Sequence, residues 1–473
     1  MNQSEQSNQC AILCVVKSKY LYIPIETKNR EFDAKLFFAS VAAERGYEVV
    51  LGNQKIFLRS LPLMPRGIYV DKSAAAEKIG RYVTYQRLGF KLVAYDEEGL
   101  VPWNLSEYQR SRQFSDNVLS NLEYFFAWGQ RQADFITETL VNEKQKILAV
   151  GHPRGDLTRK ELRGFYDDKA RMLQERYGRF ILINTNFALC NHFYGEHGLI
   201  HIKHIEDAEL RDFYMRVGEH QQKLFDYFVE LIQKLRQEFP EISVVVRPHP
   251  SENHAYWQSL FVHDKNVYVV HEDNVYSWLM AAEVIIHNSC TTGLEAYLLE
   301  RPVIAYRPIQ NPAVENELPN LLSDQQLRCD DVIASVRAYL FQQPKKLPEK
   351  DFQKEKAIAH YMTALDGRFS SERIMDAIDL IQLSTVTPEI LLRRWYVFLK
   401  SWGRRCYQTL ILGKTSASED HAQQYRAQKF PGISLEEVEQ SLQKFRTLTG
   451  RFSFMQATQI EKDLFRIRNY SQR

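Results

Sequence analysis

Short apolar runs alternate with amphipathic helical stretches through most of the chain. Residues 20–25 read as a strand. Residues 30–45 carry apolar side chains at helical spacing and stop at Gly46. Residues 48–51 and 67–70 are strand-like, 77–88 are helical up to Gly89, and 91–95, 124–128 and 147–150 are further strands. A second series begins near Arg179, with strands at 180–184, 242–246, 267–270, 284–287 and 303–306 and helices at 207–239 and 291–299. The run at 242–246 is apolar and largely β-branched, as in a strand covered on both faces. Strand and helix in turn predict an α/β fold with two parallel sheets. Two Rossmann-like domains face to face are expected over residues 1–150 and 179–345, joined by 151–178.

Beyond about residue 344 the pattern is helical only, so residues 346–473 read as a helical extension. Residues 370–383 form one helix and 389–405 another, with Leu391, Trp395, Phe398 and Trp402 along one side. Residues 389–414 hold six Lys/Arg and one Glu. Such a helix either packs on the domains with snorkelling cationic side chains or lies on an anionic membrane surface.

The chain has 473 residues, 44% apolar and 25% charged, enough to bury full cores and unlike a disordered, collagen-like or coiled-coil chain. Lys+Arg number 61 against 59 Asp+Glu, a net charge of +2. That excludes a nucleic-acid binder acting through bulk charge. The six cysteines form no CxxC pair and no metal quartet, which predicts free thiols in a reducing compartment. The N-terminus lacks a cationic and apolar leader, and no stretch approaches the ~20 apolar residues of a bilayer span. The expectation is a cytoplasmic protein, with peripheral contact at the inner face of the inner membrane, if any, through 389–405.

In open α/β sheets, ligands bind at the carboxyl ends of the strands. Arg247-Pro248-His249-Pro250-Ser251-Glu252 directly follows the strand at 242–246. Two prolines stiffen this turn around His249; the guanidinium offers a fork for phosphate oxygens and the imidazole a donor for a phosphate leaving group. His287-Asn288-Ser289-Cys290-Thr291-Thr292-Gly293-Leu294-Glu295 joins a strand to a helix start, where amides and the hydroxyls of Ser289, Thr291 and Thr292 suit an anion. Glu295, one turn on, suits the hydroxyls of a ribose. Each motif alone reads equally as structural, a stiff turn or plain helix capping. Together, in one sheet, they describe a nucleotide phosphate pocket, without a Walker loop or GxGxxG.

In the first half, Asp96-Glu97-Glu98 crowd three carboxylates at a strand end, either a solvated turn or a base or nucleophile. Asp156, in the loop between the sheets, either lines their cleft or caps the next helix. Glu26 and Arg30 follow the first strand and read as substrate contacts or capping residues. His192, His197, His201 and His204, near Cys190 and Glu196, lack a second ligand set, so no metal centre is expected there; they read as a substrate-lining loop or as surface residues.

The set IPIE…REFDAK, GIYV–K, AYDEEGL, AWG, GHPRGDL, VVVRPHPSEN and HNSCTTGLEAYLLERPVIAY resembles the bacterial surface carbohydrate (surface polysaccharide) biosynthesis proteins, over roughly residues 20–310. More remotely, RPHP and the Ser/Thr-rich helix start resemble capsule and O-antigen transferases that use CMP-Kdo, teichoic-acid polymerases that use CDP-glycerol, and sialyltransferases. The resemblance implies a GT-B-like glycosyltransferase. Its donor would be a CMP-activated ulosonic acid: Kdo, or a pseudaminic, legionaminic or sialic acid. The first domain would bind the acceptor, a glycan or lipid-linked glycan, and the second the nucleotide-sugar, with no cofactor or metal. By analogy Arg247, His249, Ser289, Cys290, Thr291 and Thr292 surround the donor phosphate and Glu295 holds the ribose; Glu26 and Arg30 meet the acceptor. The catalytic carboxylate is sought among Asp96, Glu97, Glu98 and Asp156, with His249 as the other catalytic candidate. Teichoic polymerases carry a further His in their first domain; this chain has none before His152, which argues against glycerophosphate transfer. The rival expectations are a non-hydrolysing UDP-sugar epimerase and a non-catalytic scaffold of a polysaccharide assembly complex.

Overall fold

The computed structural model describes residues 19–102, 105–195, 205–342, 352–411 and 429–471, without the side chains of 401–411. The first lobe is built on strands β1 (Lys19–Ile25), β2 (Tyr47–Asn53), β3 (Ile68–Asp71), β4 (Lys91–Tyr95), β5 (Tyr124–Ala127) and β6 (Ile147–Ala149). The second carries β7 (Phe180–Asn184), β8 (Ser243–Arg247), β9 (Val267–Val269), β10 (Val284–His287), β11 (Val303–Tyr306) and β12 (Asp324–Gln326). The orders β2-β1-β3-β4-β5-β6 and β12-β11-β10-β7-β8-β9 are parallel throughout, as the alternation of strand and helix predicts. The polar edge strand β12, Asp-Gln-Gln, carries no apolar signal and was not legible as a strand.

The C-terminal part, read as helical only, needs a correction. It is mostly helical, but β13 (Met455–Glu461) and β14 (Leu464–Asn469) form an antiparallel hairpin whose second strand pairs with β2. The first sheet therefore has eight strands. Helices Ser370–Asp379 and Leu435–Thr449 pack on the helix Lys28–Glu44, and Ile374, Phe445, Phe465 and Ile467 join the same core as Phe37 and Val41. Residues 346–473 thus contain elements that complete the first lobe. The physical reason lies in the helix Lys28–Glu44, whose stretch 36–43 is apolar nearly all round. Such a helix must be covered on more than its sheet side.

Both sheets point their carboxyl ends toward the boundary between the lobes. The loops after β1, β3 and β4 face those after β7, β8, β9 and β10 across a cavity of about 280 Å³. No helix among the described residues is long and apolar enough to cross a membrane.

Candidate active site

The two motifs of the second lobe meet on one wall of this cavity. Arg247, Pro248, His249 and Pro250 line it after β8, and Cys290, Thr291, Thr292 and Glu295 line it after β10. Glu252 fixes the first turn. Its fully buried carboxylate accepts hydrogen bonds from the amides of His249 (2.9 Å) and Phe187 (3.1 Å), the Thr185 hydroxyl (2.8 Å) and the Trp257 indole N–H (2.8 Å). The amide of Ser251 donates to Nδ1 of His249 (3.2 Å), so in the neutral ring the proton sits on Nε2. Burial, reinforced by Arg30, Lys429 and His254, holds the His249 pKa down at about 4 despite Glu98. At neutral pH His249 is therefore an uncharged N–H donor.

Arg247 props the neighbouring loop, donating to the carbonyls of Glu272 (3.2 Å) and Asp273 (2.7 Å). Burial lowers its pKa to about 10, so it stays cationic. Three buried donors on residues of this wall have no protein partner among the described residues: Arg247 Nε, Asn184 Nδ2 and the Thr292 hydroxyl. Buried donors are normally satisfied, so these three are available to a polar group in the cavity.

Ser289 departs from expectation. It holds a left-handed backbone (φ 56°), its hydroxyl pairs with Asn320, and its carbonyl accepts from Asn316. It shapes the turn rather than lining the cavity. Glu295 lines the cavity, but one of its oxygens is paired with Arg154, which arrives from the connection between the lobes, and lies 3.4 Å from the Tyr276 hydroxyl.

The carboxylates of the first lobe sort clearly. Asp96 is fully buried and accepts from Tyr108, Arg112 and the Glu98 amide, so it organises the loop. Glu97 is buried beside Lys35 (3.1 Å) and His152 (3.6 Å), and its oxygens are shielded from solvent. Glu98 alone of the three is open, its side chain 60% exposed and gripped by Arg30. Burial of the site pushes the Glu98 carboxyl up, but Arg30 more than reverses this and holds it down at about 2. Asp156 lies away from the cavity. It caps the helix Ser370–Asp379, accepting from the Ser370 and Ser371 amides and the Ser371 hydroxyl. The helix it caps is remote in sequence rather than the next one, and Asp156 is withdrawn as a catalytic candidate.

Glu26 and Arg30 line the cavity as expected, Glu26 in an ion pair with Lys72. Lys72, the lysine of the quoted GIYV–K stretch, and Lys429 are cavity cations that had no assigned role. Burial and Lys78 lower the Lys72 pKa to about 8. Lys72 follows the GIYV run, but Lys429 lies far along the chain with no local signal. Arg154 and Glu252 stood inside quoted motifs without an assigned role. Of the histidine cluster, residues 196–204 lie outside the described residues. His192 bridges to Glu252 through the backbone, and no group among the described residues is arranged to hold a metal ion. The described cysteines, Cys190, Cys290 and Cys329, are free thiols.

Two Rossmann-like lobes with strand ends converging on one cleft, plus the helical segments that follow, define a GT-B-like fold. No protein-family model and no curated protein sequence matches the chain. Among solved structures it is similar to the UDP-GlcNAc 2-epimerase from Methanocaldococcus jannaschii, with 13% identity over 76% of this chain and 99% of that one and a TM-score of 0.47. It is also similar to the wall teichoic acid polymerase TagF, with 11% identity over 76% and 88% and a TM-score of 0.47. The UDP-GlcNAc 2-epimerase from Neisseria meningitidis gives 14% identity over 77% and 99% and a TM-score of 0.42. At such distances the likeness assigns no activity, and the class is read from the two sheets themselves.

Proposed function

We propose that the chain is a glycosyltransferase of surface-glycan synthesis, moving a ulosonic acid from its CMP-activated donor to a glycan hydroxyl. The observation that carries this reading is the meeting of the neutral, Nε2-protonated His249 with Arg247 and Thr291–Thr292 on one cavity wall. A cation, a neutral N–H donor and hydroxyls together stabilise the charge that develops on a departing phosphate. Their combined donor set needs no metal to do so. The motif resemblance to CMP-sugar enzymes supports cytidine as the base.

The donor lies on the second lobe and the acceptor on the first. Glu98 is the carboxylate placed to meet the substrates. With a pKa near 2 it is ionised at any working pH. That makes it a poor general acid, suited to accepting from the acceptor hydroxyl and to stabilising positive charge at the anomeric carbon. Lobe closure excludes water that would otherwise hydrolyse the donor.

Thermal-shift titration with CMP, CDP and UDP tests the nucleotide, since a ligand stabilises the state it binds. Selective stabilisation by CMP is expected; a response to UDP alone transfers the site to UDP-sugar chemistry, epimerisation included. His249→Ala is expected to lower donor turnover by about 10²-fold or more. Unchanged turnover leaves the scaffold reading in its place.

A further inference from the structure

The helix Pro388–Ile411 is fastened to the first lobe by one narrow face. Val397 packs on the core beneath β3 and β4, and Ile390 sits against Gly89. Arg394 donates to the carbonyls of Leu88 and Met64. These three residues recur at helical spacing and account for the attachment.

Among the described residues, nothing covers the opposite face. Leu392 is 71% exposed, Trp395 62% and Tyr396 64%, and Leu391, Phe398 and Leu399 are also exposed. At ~100° per residue these six side chains form one continuous arc of about 160°. Isolated exposed apolar residues are ordinary, whereas a contiguous aromatic and leucine surface of this kind marks an interaction site.

We propose that this face docks the protein on an anionic lipid surface. Charge selects the occupant. Arg393 and Lys400 flank the apolar arc on one side, and the sequence continues with Arg404 and Arg405. Residues 389–405 contain only one acid, Glu389, which pairs with Arg393. Two copies of so basic a face would repel each other, while anionic headgroups attract it. Tryptophan and tyrosine suit the boundary between headgroup and acyl chain, with leucines reaching deeper. Met64 and Leu88 precede β3 and β4, whereas the cavity lies beyond the other ends of these strands. The surface therefore grips the end of the first lobe remote from the cavity. This inference is independent of the nucleotide that the cavity takes.

The test is co-sedimentation of the full chain with vesicles of phosphatidylcholine alone or with about a third phosphatidylglycerol. Binding to the anionic vesicles, reduced by salt, is expected. The triple variant Leu392→Glu, Trp395→Glu, Leu399→Glu should lower the bound ratio about tenfold or more. These side chains are exposed, so circular dichroism and the thermal transition should be unchanged. Failure to sediment with anionic vesicles overturns the proposal, as does equal binding by a folded triple variant. A concentration-dependent dimer abolished by the triple variant, without lipid binding, gives the face to a second copy instead.

Discussion

Arg154 leaves the connection between the lobes and closes on Glu295 of the second lobe, with both side chains under a tenth exposed. The same guanidinium lies 3.4 Å from the Glu97 carbonyl of the first lobe. One residue thus ties the connection, the helix that starts at Thr292 and the carboxylate loop together. Replacing Arg154 by Met strands a buried carboxylate. A loss of about 3–5 kcal/mol in urea-measured stability is expected, with partial recovery in Arg154→Met/Glu295→Gln. Equal stability of the single variant and the wild type contradicts the ion-pair account.

Glu252 makes a second prediction. Four donors converge on it, and Glu252→Ala leaves them buried without acceptors. A stability loss of about 3 kcal/mol or more is expected, together with weakened CMP binding because the His249 turn loses its brace. His249→Ala should weaken binding with little change in the unfolding midpoint. Chemical denaturation and calorimetric titration on the two variants separate positioning from contact.

The pH dependence follows from the protonation of His249. Its pKa falls from 6.5 to about 4 on folding. The unfolded chain therefore takes up this proton first, and stability is lost as pH falls from about 6.5 toward 4. His287, lowered to about 3 by burial, and His271, lowered to about 2, act in the same direction. His249→Gln does not titrate, so the wild type should lose stability relative to it across that window. Between pH 7 and 8, binding of CMP should not follow a histidine titration. The phosphate of CMP itself ionises at about pH 6, so the contrast is with His249→Gln: a binding step centred near 6.5 that the wild type shows and the variant lacks means a cationic imidazole and refutes the neutral-donor assignment.

The C-terminal hairpin carries a further prediction. Leu464, Phe465 and Ile467 are fully buried, and Asp463 receives the Ile433 amide (2.7 Å) and, on its carbonyl, the Asn53 amide (2.9 Å). Truncation after Gly450 removes six buried apolar side chains, Phe452, Met455, Ala457, Leu464, Phe465 and Ile467, and bares the edge of β2. Loss of the cooperative thermal transition, with aggregation, is expected. A truncated chain that melts like the full one makes the hairpin dispensable.

The alternation of strands and helices was legible because each parallel strand is buried on both faces and therefore reads as an unbroken apolar run. Strand boundaries moved by a residue or two, as between the expected 242–246 and the observed Ser243–Arg247, whereas the helix expected over 370–383 ends at Asp379 and that over 389–405 runs to Ile411. The hairpin was not legible, because β13 is mostly exposed and alternates only weakly. In the site, RPHP and the Cys290–Thr292 turn were legible because chemistry was concentrated in a few consecutive residues at strand ends. Ser289 and Asp156 matched the same residue-type criteria and failed. A hydroxyl or carboxylate at a loop serves equally well as a cap, and only its neighbours decide.

The sequence by itself determined two parallel sheets, their order of succession and the two turns at strand ends that line the cavity, since these depend on local periodicity and on the positions of strand ends. The tertiary structure alone decided which carboxylate stands open, that Arg154 and Lys429 enter the cavity, and that the C-terminal strands finish the first sheet. Those outcomes rest on contacts between residues far apart in the chain. An ionisable group there is defined by its partners and its burial, which no local pattern records.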